Sequence, residues 1–138
     1  MDITVRTTTP LISEDRSWLA DVDGTQATRS ITLVVADFVE ANHYPDGVIM
    51  SGTVIGRYTS GPHAGLWGRY DDTATDGRET AVGVLFSSVQ VVEDNRTKAR
   101  VGAPLQERGF ILPVNLPPAH GLDAAARVDL GTHWIFRD

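Results

Sequence analysis

Ala81-Val82-Gly83-Val84-Leu85-Phe86, followed after two serines by Val89-Gln90-Val91-Val92, is the stretch on which the fold turns. Two short runs rich in β-branched and apolar side chains, separated by small polar residues, read as strands too short to be helices. They are the best candidates for the core of the chain. Working outward, Thr53-Val54-Ile55-Gly56-Arg57-Tyr58 and Val48-Ile49-Met50 repeat the pattern, with glycines punctuating them. Tyr44-Pro45-Asp46-Gly47 just before is turn chemistry, because Pro fixes φ and Gly accepts the left-handed conformation. Ile31 to Phe38 reads as a further β-rich run, and Leu66 to Tyr70 as a brief strand inside a long Gly-rich loop over residues 59–80. Thr97 to Val101 and Arg108 to Leu112 extend the sheet, and His133-Trp134-Ile135-Phe136 closes the chain as a strand.

The helix signal comes late. Asp123 is placed to cap Ala124 to Leu130, and Gly131 stands where such a helix stops. About eight short strands and one small helix make the fold class mainly β, and spacing leaves barrel, sandwich and folded ribbon open.

The 138 residues suit one domain, expected over 13–138 behind a lead-in segment over 1–12. A net charge of −6, with cations scattered among acids, argues against a nucleic-acid face, which needs clustered Lys and Arg. With no cysteine there is no disulfide and no thiolate metal site. The chain has no apolar run of membrane-spanning length and no secretion-signal pattern at its start. It is therefore expected to stay in the cytoplasm or to join something assembled there.

Catalytic readings fare poorly. His43, His63, His120 and His133 lack metal-pair spacing and read as solvated loop histidines. No Gly-x-Ser-x-Gly elbow marks a nucleophile, and Ser51 and Ser60 sit in turn-like contexts. Asp72, Asp76 and Gly77 can be laid on a calcium loop only with Ala74 and Gly83 at ligand positions, so that reading fails. Neither a Walker loop nor a dinucleotide fingerprint occurs. No metal, cofactor or catalytic residue is expected. Trp18, Trp67 and Trp134 read as core or subunit-contact anchors. The first ten residues alternate Ile3 and Val5 against Thr4 and Arg6 before Pro10. They read either as a terminal edge strand or tail, or as an arm that adds a strand to a partner's sheet.

The order of the motifs is more specific than any of them. Glu14-Asp15-Arg16-Ser17-Trp18-Leu19 precedes Thr28-Arg29-Ser30-Ile31-Thr32-Leu33 and His43-Tyr44-Pro45-Asp46-Gly47. Then come Ser51-Gly52-Thr53-Val54-Ile55-Gly56, Tyr70-Asp71-Asp72, Asp76-Gly77-Arg78-Glu79 and the Ala81 strand. This series, with the Pro-rich turn and short helix from Pro117 to Gly131, resembles the head-decoration (capsid cement) proteins of tailed phages. The likeness is to the lambda-type decoration protein and to forms from phages and prophages of actinobacteria. It covers about residues 14–136, and the longer lead-in over 14–45 departs from the shorter lambda-type pattern.

The resemblance implies a β-clip (β-tulip) type fold and trimers on three-fold and quasi-three-fold positions of the expanded head. It also implies an N-terminal arm on the major capsid protein. Ile3, Thr4, Val5, Arg6 and Thr7 are the expected capsid-facing strand, and Leu66, Trp67, Pro113 and Pro117 the expected trimer contacts. The partners would be the major capsid protein and further copies of the chain, with no direct contact to nucleic acid or membrane, on the outer surface of the virion. Two rivals remain: an exposed module binding host-surface glycans through Trp67 and Tyr70, and a small β-fold hydrolase. For the second, the clustered acids and phosphate-binding Gly-Ser motif are missing.

Overall fold

A computed structural model describes residues 14–138. The expected arm over 1–12, with Ile3, Thr4, Val5, Arg6 and Thr7, lies outside the described residues. In chain order the strands are β1 (Arg29–Val34), β2 (Val48–Ile49), β3 (Val54–Arg57), β4 (Trp67–Arg69), β5 (Ala81–Leu85) and β6 (Val89–Gln90). They continue as β7 (Val92–Glu93), β8 (Arg96–Thr97), β9 (Arg100–Gln106), β10 (Gly109–Ile111) and β11 (Trp134–Phe136). The helices are α1 (Glu40–His43) and α2 (Ala124–Leu130). The fold is mainly β with a short C-terminal helix.

Five of these strands close into a barrel in the order β1-β4-β3-β5-β9, which decides the architecture that strand spacing had left open. β1 runs antiparallel to β9 from Arg29 opposite Leu105 to Val34 opposite Arg100. On its other side β1 meets β4 in parallel, with Leu33 opposite Trp67, and this one parallel contact closes the cylinder. Successive strand residues face opposite ways, so Ile31, Leu33, Ile55, Leu85, Ala103 and Leu105 fill the interior around Trp67. Each of the Leu and Ile side chains among them contributes roughly 1.5–3 kcal/mol through burial. Val35, Phe38, Tyr44, Ile49, Val89 and Val91 stop the upper mouth, reached from the end of β1.

A second apolar layer lies outside the barrel. Val54 and Val84, register partners on β3 and β5, are covered by Trp18, Ala126, Leu130 and Trp134. Helix α2 buries its Ala126–Leu130 stripe there, an i, i+4 pair on one face. Its first turn is held as the sequence predicts: the Asp123 carboxylate accepts from the Ala126 amide at 2.7 Å. Gly131 ends it in right-handed geometry rather than in the left-handed cap that glycine usually supplies.

Several sequence expectations change. The Ile31 run ends at Val34: the Val35 amide makes one more in-register bond to the Ala99 carbonyl, and the chain then leaves the sheet in a 3-10 turn over Val35–Asp37, closed by the Phe38 amide on the Val35 carbonyl. The one-turn α1 has no sequence cap; the His43 Nδ1 accepts from the Val39 amide at 2.8 Å and holds the turn from inside. β9 is longer than the Thr97 to Val101 segment and runs through Pro104. The Phe86 amide donates to the Pro104 carbonyl at 3.0 Å. In a strand the nitrogen and carbonyl of one residue face the same neighbour, so Pro104 turns its missing N–H beyond the last residue of β5 and no ladder bond is lost. The β7–β8 hairpin turns at Asp94 and Asn95, both at positive φ as a two-residue type I′ turn requires.

Candidate interaction site

The chain enters the described body at a firmly held point. Arg16 donates from Nε to the Phe86 carbonyl at 2.8 Å and from a terminal nitrogen to Ser87 Oγ at 2.9 Å. Its guanidinium lies 4.2 Å above the Phe86 ring and 3.4 Å from the Glu14 carboxylate. Glu14 in turn accepts from the Ser88 amide at 2.8 Å. Asp15 closes a small turn by accepting from the Ser17 amide, and those bonds hold its carboxyl below the usual carboxylate range. Charged donors and acceptors make these bonds stronger than neutral ones.

Trp18 anchors the same segment below the surface. Its ring is fully buried and its indole N–H donates to Ser51 Oγ at 3.1 Å. Ser51, which sequence context places in a turn, does sit in one, but it is buried and its hydroxyl donates a hydrogen bond to the Phe86 carbonyl at 2.7 Å. Gly52 is required beside it. At φ +99° with Pro117 Cδ and the Trp18 ring crowding the place of a Cβ at 2.7 and 3.0 Å, no side chain fits. Asn115 donates to the Ser17 carbonyl at 3.0 Å, and the Leu112 amide to that of Trp18 at 2.7 Å. The segment from Pro113 to Pro117 therefore lies along the root of the N-terminal segment, with Val114 as its outward apolar tip, 86% exposed.

Two of the expected trimer-contact residues, Pro113 and Pro117, are thus brought beside the root, and the other two are not. Leu66 is half-buried, and Trp67 belongs to the barrel interior with 5% of its surface exposed. Tyr70 is 2% exposed and donates its hydroxyl to Asp123 at 3.0 Å. Neither ring offers a face on which a sugar could stack.

Sequence reading missed a polar knot on the outer face of β3 and β4. Gly56 stands opposite Gly68 in the register. The place of a Cβ on Gly68 is 2.7 Å from the Tyr58 ring, and on Gly56 it is 2.9 Å from Arg78 backbone. Tyr58 and Arg78 therefore lie flat over the glycine pair. The Tyr58 hydroxyl donates to Asp37, and Arg78 clamps Asp76 through Nε and a terminal nitrogen at 3.2 Å while its guanidinium sits 5.1 Å from the Tyr58 ring. Arg69 ties in by donating to the Asp37 carbonyl at 3.0 Å.

Burial and the bond to Asp37 push the Tyr58 hydroxyl far above its ordinary range. Burial works against the Asp76 carboxylate, but Arg78 outweighs it and leaves Asp76 below its ordinary value. Each charge here is matched by a neighbour, the pattern of a structural clamp over a thin patch of sheet. The adjacent glycines at 56 and 68 were the only signal in the sequence, and they name no partner.

The histidines also differ from the solvated loop reading. His43, His63 and His120 are half-buried, and only His133 is exposed. His120 Nδ1 accepts from the Leu122 amide at 2.8 Å, as His43 Nδ1 does from Val39. Burial, helped by Arg127 near His120 and Arg69 near His43, lowers both pKa values.

Among the described residues, no group of three or more His, Asp or Glu side chains is placed to hold a metal ion, and no helix is long and apolar enough to cross a membrane. Comparison with family models, curated proteins and solved structures finds no match to this chain.

Proposed function

We propose that the protein is a non-enzymatic virion component that cements the expanded head of a tailed phage. It would bind the major capsid protein as a trimer at three-fold and quasi-three-fold positions, on the outer surface of the shell. The same proposal assigns the barrel to the β-clip type. The observation that carries it is the fixed root. Arg16, Glu14 and Trp18 lock the chain to Phe86, Ser88 and Ser51 immediately after the segment that the resemblance makes a capsid-binding arm. An arm that adds a strand to a partner gains affinity when its point of departure is held, because less orientational freedom is lost on binding. Val114 and the Pro113–Pro117 segment beside the root supply a rigid shoulder for a neighbour. Three copies bridging one site multiply a modest single contact through effective concentration.

The reading is tested by co-sedimenting the full chain, and a variant lacking residues 1–12, with expanded and unexpanded shells of the cognate major capsid protein. Saturable binding of the full chain to expanded shells, lost in the truncated variant while its circular dichroism is unchanged, is the expected result. Absence of binding to either shell would end the capsid reading. Full binding by the truncated chain would end the role given to the arm.

A further inference from the structure

The lower mouth of the barrel, opposite the apolar stopper, is built differently. Arg29 opens β1 two residues before the interior Ile31, and Arg57 ends β3 two residues after the interior Ile55, as the register partner of Trp67. Both side chains reach over Trp67, with guanidinium carbons 5.0 and 5.3 Å from the centre of its ring. At this mouth both cations are therefore held against one indole. Arg57 is exposed and, among the described residues, has no carboxylate within salt-bridge distance. Arg29 has one, Glu107 at 3.5 Å, at the long end of the range and with both side chains about half exposed.

Stacking on an indole restrains an arginine and leaves its fork of N–H donors facing outward. Two such forks held on one indole are preorganised for a planar carboxylate, where a bidentate pair is favoured by geometry. The Glu107 contact already shows the chemistry the rim accepts. The −6 charge of the whole chain opposes any polyanion at long range, so recognition at this mouth falls to the local pair of cations and not to the net field.

We infer that the Arg29–Arg57 mouth over Trp67 is a docking site for a carboxylate side chain on an acidic segment of a partner protein. The inference concerns the isolated chain and does not depend on the capsid reading.

The test is titration of the ¹⁵N-labelled full chain with a hexaglutamate peptide, following the indole N–H resonance of Trp67. A saturable shift is expected, weakened by added salt, reduced about tenfold or more in Arg57→Gln, and strengthened in Glu107→Gln, which frees Arg29. Arg100→Gln serves as control, because Arg100 pairs with Val34 at the far end of β1. Circular dichroism verifies that each exposed-site variant is folded. An unmoved Trp67 resonance overturns the inference, as does equal loss in Arg57→Gln and Arg100→Gln, which would mean diffuse attraction. Inorganic phosphate that shifts the same resonance and displaces the peptide at equal concentration would reassign the mouth to free oxyanions and overturn the acidic-segment reading.

Discussion

Asp123 joins the helix to the barrel wall, and a double-mutant cycle with Tyr70 measures that joint. One carboxylate oxygen accepts from the Ala126 amide at 2.7 Å and from the Tyr70 hydroxyl at 3.0 Å. Asp123→Ala removes the helix cap, which costs about 1 kcal/mol. It also strands the hydroxyl of a side chain that is 2% exposed, adding about 1–3 kcal/mol for an unsatisfied buried donor. The single loss is therefore about 2–4 kcal/mol, with a fall in melting temperature of roughly 3–4 °C per kcal/mol for a chain of this size. Tyr70→Phe removes the stranded group together with its bond and costs about 1 kcal/mol. In that background Asp123→Ala loses only the cap, so the double variant is less destabilised than the sum of the singles, by about 1–3 kcal/mol. Urea unfolding followed by tryptophan fluorescence, at neutral pH, gives all four stabilities. Losses that add to within about 0.3 kcal/mol would refute the shared-acceptor account.

Gly68→Ala drives a methyl group into the Tyr58 ring held between Asp37 and Arg78, and is expected to cost about 1–3 kcal/mol in urea unfolding; wild-type stability would mean the ring is not held. His43 and His120 have folded pKa values below the ordinary 6.5, so the unfolded chain binds more protons. Their contribution to stability is complete above about pH 6.5 and is lost as pH falls towards the folded values, so melting temperature should drop on acidification and drop less in His120→Gln; a flat profile between about pH 7.5 and 5.5 would contradict the buried neutral rings. Arg16→Ala removes the bonds to Phe86 and Ser87 and the stack on the Phe86 ring, at a cost of about 1–2 kcal/mol. Cleavage after Glu14 by a glutamate-specific protease should accelerate several-fold, and an unchanged rate would show that the root is not held through Arg16.

Local chemistry made much of this legible in advance. The Tyr44-Pro45-Asp46-Gly47 turn, the strand at Ala81, the brief strand around Trp67 and the helix between Asp123 and Gly131 stand where propensity and capping put them. Each depends on a handful of adjacent residues, which is what sequence pattern reports. The strand read over Thr97 to Val101 runs on to Gln106, because whether Pro104 interrupts a strand depends on which neighbour its nitrogen faces. The half-buried roles of His43 and His120 were hidden because only the folded chain sets their Nδ1 atoms against the Val39 and Leu122 amides.

By itself the sequence determined a β-dominated chain with one capped C-terminal helix, an acidic surface and tryptophans committed to anchoring. These follow from side-chain shape, alternation and charge within short windows. Only the tertiary structure decided that five strands close through the parallel contact of Leu33 with Trp67, and that Arg78 reaches back over Gly56 to meet Asp37 and Tyr58. It also decided that Arg29 and Arg57 converge on one indole. Those contacts join residues far apart in the chain, and no local propensity selects a partner at such separations. They form because closing the barrel buries its apolar interior and brings whatever lies at the strand ends together at its mouths.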